Sequence, residues 1–176
     1  MAKACIFAKS EIQSVLTLLD REYKSVYSVS TPQNIRLMKA YTKMAVIALG
    51  GWIEDGMKEM LNISSDKLTE INSQQKLANL VGRIFGFSYD SHISNGIIYA
   101  FGVHGLESIE TEVGSADIAR LRSTLSNLKV WRDNAAHSHS AVLSCSPARI
   151  ITEFQSIFPI LKKMEKSARK YRNEHF

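Results

Sequence analysis

Three prolines, two cysteines and no long apolar run set the first bounds on this 176-residue chain. Cys5 and Cys145 stand far apart, with no CxxC spacing and no ordered series of Cys and His, which excludes a disulfide scaffold and a cysteine-based zinc site. Free thiols in a reducing compartment are expected. The apolar stretch Ala4 to Ala8 is too short for a signal-peptide core, and nothing later approaches the roughly eighteen uninterrupted apolar residues of a membrane span. A cytoplasmic protein without a membrane partner follows as an expectation. Period-two alternation bounded by hairpin turns is also missing, so no strand is required. Charge of one sign is in mild excess: 22 Lys and Arg against 17 Asp and Glu give +5. That bias favours polyanionic partners, although the basic tail LKKMEKSARKYR reads as a solvated helical face.

What is present is helical periodicity. With 45% hydrophobic and 22% charged residues, the composition is that of a folded globular chain, and residues 1–176 read as a single domain. From about Lys3 to Val29, Ile12, Val15 or Leu16, Leu19, Tyr23 and Val26 recur at helical spacing. STPQNIRLMKAYTKMAVIALGGWIEDGMKEML offers Thr31 as N-cap and Pro32 at the first helical position, then Met38, Tyr41, Ala45, Ala48 and Trp52. Met38, Met44, Met57 and Met60 read as core filling, and the Gly50–Gly51 pair as a helix crossing or a bend. A further helix starts at Ser65 or Asp66 and carries Leu68, Ile71, Leu77, Leu80 and Ile84. Residues 88–114, with four glycines, form a short helix or irregular chain.

GSADIARLRSTLSNLKVWRDNAAH places Ile118, Leu121, Leu125, Leu128 and Trp131 on one face behind Ser115 as cap. Ser146 and Pro147 open the last helix, which carries Ile150, Phe154, Ile157 or Phe158, and Leu161, with Pro159 as a possible kink. The fold class is therefore all-α: an antiparallel helical bundle of about five main helices.

The stretch KVWRDNAAHSHSA ends the Leu-periodic helix. Arg132 and His137 are five residues apart, about 140° around a helix, so they flank a groove and do not stack. Asp133 and His137, four apart, share a face, which lets the carboxylate hold the imidazole in one tautomer. Ala135 and Ala136 permit close approach by another chain.

WRDNAAHS at the end of such a helix resembles the HEPN domain family, in the branch whose motif reads RDxxAHS within an all-α bundle. The resemblance implies a metal-independent endoribonuclease acting as a homodimer with a composite site. Arg132, Asp133 and His137 then take the catalytic positions. Asn134 is a phosphate or orienting contact, and Glu54 supplies the polar residue that family members often carry on an earlier helix. RNA is the expected substrate, cut by 2′-hydroxyl attack to leave 2′,3′-cyclic phosphate and 5′-hydroxyl ends, so DNA should survive. A toxin or phage-defence role follows from the same likeness, with an antitoxin or regulatory protein as partner.

Other readings stand beside this one. Arg132 and His137 also suit a helix C-terminus, where cations complement the dipole. No metal or other cofactor is expected: His137 and His139 lack a third ligand, with His92 and His104 only distant candidates. His139 reads as a loop residue, Trp131 as an anchor, and Arg36, Lys39 and Lys43 as a basic stripe. The alternatives in function are a non-catalytic HEPN-like module binding protein or nucleic acid, and an unrelated helical regulator.

Overall fold

The computed structural model describes residues 5–29, 31–84, 86–137 and 144–176. Among them are six α-helices and no strand: α1 (Lys9–Tyr27), α2 (Pro32–Asn62), α3 (Ile71–Gly82), α4 (Ser94–Val113), α5 (Ser115–His137) and α6 (Pro147–His175). A 3-10 turn (Ile63–Lys67) extends α2, and a π-turn (Tyr89–Ile93) leads into α4. All six helices contribute to one hydrophobic core. The two longest, α2 and α6, touch each other and form its centre; α1 and α5 lie against both, α3 against α2, and α4 chiefly against α6.

Both proline-started helices begin where their caps direct. Thr31 Oγ1 accepts from the Asn34 N–H at 3.1 Å, Ser146 Oγ accepts from the Arg149 N–H at 3.4 Å, and a proline fills the next position each time. Helix α6 runs on through the exposed Pro159.

Several expectations change. The bundle has six α-helices where about five were expected, because residues 94–113 form a full helix despite their glycines. Gly96 packs tightly there: a Cβ would lie 2.6 Å from Leu61 Cδ1, so the Leu61 side chain would have to shift to admit one where α4 meets α2. The same helix is broken at Gly102, where φ is +76°, a conformation open to glycine. The third helix starts at Ile71 and not at Ser65 or Asp66, since the residues after α2 tighten into the 3-10 turn; Ile71 and Leu80 consequently face solvent. Helix α1 is shorter than expected, with Ile12, Leu16 and Leu19 buried and Val15 exposed.

On α2 the buried face is broad and displaced from the expected stripe. Ala45, Val46, Leu49, Ile53, Met57 and Met60 fill it, while Tyr41, Ala48 and Trp52 lie along its edge. Met44, expected in the core, is 55% exposed. On α5, Ile118, Leu121, Leu125 and Leu128 are buried and Trp131 packs against them at the rim.

The N-terminal strap is fastened to the last helix. Glu165, buried on α6, accepts from the Ile6 backbone N–H at 3.2 Å, from Lys162 Nζ at 2.6 Å and from Arg169. Burial alone pushes the Glu165 carboxyl up, but these donors together hold it below the ordinary glutamate range. Fully buried Phe7 follows, its ring 5.4 Å from that of Trp52.

Candidate functional site

Arg132 follows Leu128 by four residues and precedes Ala135 by three, so it falls on the inward side of α5, the side facing α2. Glu54 follows Gly50 by four and shares its flank of α2. The two flanks meet. Arg132 Nη1 donates to Glu54 Oε1 at 2.5 Å, with the side chains 29% and 23% exposed. Nε and Nη2 of the same guanidinium donate to Asp133 Oδ1 at 3.3 and 3.2 Å. Below it lies the ring of buried Phe87, whose centroid is 5.0 Å from the guanidinium carbon.

Gly50 makes this layering possible. A Cβ there would sit 3.0 Å from Phe87 Cε1 and 3.6 Å from Arg132 Cδ. Gly51, one residue on, has open space around it. Of the glycine pair, Gly50 alone serves a crossing.

The electrostatic balance is close to neutral. One guanidinium faces two carboxylates, and Lys129 Nζ stands 4.0 Å from Asp133 Oδ2. A guanidinium has five N–H groups, three of which these bonds engage, so two meet no acceptor among the described residues. The contact to Glu54 is short and sheltered, whereas Asp133 is 41% exposed and held by longer bonds. An incoming oxyanion therefore displaces Asp133 more easily than Glu54.

Arg132, Asp133 and Glu54 are thus brought together, while Asn134 points to solvent beside them. His137 ends α5. The His137 side chain and His139 lie outside the described residues, as does any carboxylate–imidazole contact of Asp133. Sequence reasoning named Gly50 as a helix crossing but did not connect it to the site, and it missed Phe87; the signal within reach was the one-turn spacing of Gly50 and Glu54.

The remaining histidines lie elsewhere. His92 belongs to the π-turn, and His104 on α4 meets Tyr171 and His175 at the far end of α6. Among the described residues no three of His, Cys, Asp and Glu come together as metal ligands. Arg36 is exposed, but Lys39 and Lys43 are half-buried, so the three do not make one open stripe. Both cysteines are free thiols, and burial pushes that of Cys145 up to about 11. No helix among the described residues is long and apolar enough to cross a membrane.

Fold and cluster together define an all-α bundle with an arginine-centred charged site where α5 ends against α2. Beyond that class, no family model, no curated protein and no solved structure matches the chain.

Proposed function

We propose that the chain is a metal-independent endoribonuclease of HEPN type, working as a homodimer with a composite site. The observation that carries this reading is the placement of Arg132: five residues before His137 at the end of α5, half-sheltered, oriented by Glu54 and with N–H groups that engage no acceptor among the described residues. The reading draws its chemistry from the likeness of RDNAAHS to the HEPN motif.

In the proposed reaction the RNA 2′-oxygen attacks the adjacent phosphorus while an imidazole takes its proton. The bond from phosphorus to the 5′-oxygen breaks, and that oxygen leaves with a proton from an acid. A 2′,3′-cyclic phosphate and a 5′-hydroxyl remain. His137 from each of two copies supplies the base and acid. Arg132 neutralises charge building on the phosphate oxygens, and the phosphate replaces Asp133 on its Nε and Nη2 edge. Asn134, exposed beside Arg132 and Asp133, takes the role of a phosphate or orienting contact in this proposal. A toxin or phage-defence effector, held in check by an antitoxin or regulatory protein, is the biological role proposed with this activity.

The test is incubation of the purified protein with a range of RNAs in EDTA, beside folded Arg132→Ala and His137→Ala variants. Cleavage is expected from the native chain alone, with cyclic-phosphate ends. Activity that survives either substitution, or that requires a divalent cation, refutes the mechanism.

A second reading has its own support in the layering of Arg132 between Glu54 and Phe87, which serves helix packing whether or not RNA is cut. On that reading the chain is a non-catalytic helical module binding a protein or nucleic acid, and no form of it cleaves RNA.

A further inference from the structure

The solvent side of α2 is apolar where an isolated bundle has no use for it. Met44 is 55% and Ile47 51% exposed, with exposed Ala40 and Gly51 completing an i, i+4, i+7, i+11 stripe. Around Gly51 the space is open, so another helix can approach the backbone there. Val15 of α1, also exposed, lines a cleft with Ala48 and Trp52 of α2 beside it.

The stripe is complementary to itself. Reversed about a point near residue 45, Ala40 comes opposite Gly51 and Met44 opposite Ile47, so small residues meet at both ends and large ones at the centre. One pair of charges follows the same symmetry, although Lys43 lies on that flank near the axis in both copies. Arg36 and Glu54 are eighteen residues apart, or about five full helical turns, so both stand on the same flank of the stripe about 27 Å from one another. In an antiparallel pair like flanks face each other, which brings Arg36 of one copy to Glu54 of the second and repeats the contact at the other end. Arg36 is exposed and has no hydrogen bond or ion pair among the described residues. A foreign partner needs no such two-fold relation; an isologous dimer does.

We propose that two copies of the chain pair antiparallel through the solvent face of α2, with Arg36 of each copy reaching Glu54 of the other. Glu54 then answers two guanidinium groups, and its hold on Arg132 relaxes as the dimer forms. Pairing would thereby release Arg132 to a phosphate. That last consequence rests on the ribonuclease reading; the pairing surface does not.

Sedimentation and light scattering of the full chain across a concentration series read the pairing directly. The native chain is expected to dimerise, and Met44→Glu/Ile47→Glu to raise the dissociation constant at least about 100-fold by placing like charges at the two-fold axis. Both sites are exposed, so helicity and the melting transition of the monomer should hold. Arg36→Glu weakens the dimer about tenfold or more, because it sets two carboxylates together. Val130→Glu, at an exposed apolar site on α5 outside the stripe, leaves it unchanged. In a Cys5→Ser background, Ala40→Cys/Gly51→Cys should give a covalent dimer on mild oxidation. A native chain that stays monomeric at about 100 µM, above the affinity of most specific pairs, overturns the proposal. So does a dimer indifferent to Met44→Glu/Ile47→Glu. A dimer that responds as expected but cuts no RNA keeps the surface and removes the ribonuclease reading.

Discussion

Arg132 and Glu54 join α5 to α2, and a double-mutant cycle measures how strongly. Exposed ion pairs couple by about 0.2–1 kcal/mol, whereas breaking a fully buried pair costs about 3–5 kcal/mol. This pair lies between those limits, since 29% and 23% of its side chains reach solvent and its 2.5 Å contact is short. A coupling of about 1–2 kcal/mol is expected on that basis. Arg132→Ala alone should remove about 2–3 kcal/mol, because the Asp133 contact and the packing on Phe87 go with the pair. Glu54→Ala should remove about 1–2 kcal/mol, and the double variant less than the sum by the coupling energy. For a chain of this length each kcal/mol shifts the melting temperature by about 2–4 °C, so urea and thermal unfolding of the four proteins resolve the effect. A coupling below about 0.3 kcal/mol, inside the range of ordinary additivity, refutes the claim that Glu54 holds Arg132 in place.

Two further outcomes follow from packing and from charge. In the monomeric Met44→Glu/Ile47→Glu background, Gly51→Ala should raise stability by about 0.5–1 kcal/mol, because the added Cβ meets open space within the single chain and alanine favours the helix. Gly56→Ala, five residues along the same helix, should lower it by about 1–2 kcal/mol once that gain is offset, since the Cβ would lie 2.7 Å from Cδ1 of fully buried Phe7. Glu165 is more acidic when folded, so its contribution is present above the ordinary glutamate value of 4.5 and is lost as pH falls through the lower folded value. The melting temperature of the native chain should therefore fall more steeply below about pH 4.5 than that of Glu165→Gln, and equal slopes would show that the carboxylate contributes nothing.

Helix starts marked by local chemistry were legible in the sequence, as Thr31–Pro32 and Ser146–Pro147 show, because a cap depends only on residues three or four apart. The stripe of α5 was legible for a related reason: its buried face is narrow, and Ile118, Leu121, Leu125 and Leu128 run along it. Helix α2 touches α1, α5 and α6, so its buried arc is wide, and a single apolar stripe traced only one edge of it. Helix α4 resisted reading because Gly96 packs against Leu61 on α2, a contact no local pattern announces. At the candidate site, Arg132 was visible from its motif and Glu54 from the resemblance alone. Phe87 was not, because it reaches the guanidinium from a turn more than forty residues upstream in sequence.

The fastening of Ile6 to Glu165 sets a schedule for synthesis. Helix α1 can settle against α2 soon after both leave the ribosome, but its remaining buried side belongs to α6, which begins about 120 residues after α1 ends. At about 5–20 residues per second that partner arrives some 6–24 s later. Throughout the interval Ile12, Leu16 and Leu19, all buried in the finished fold, wait for the helix that completes the packing of α1.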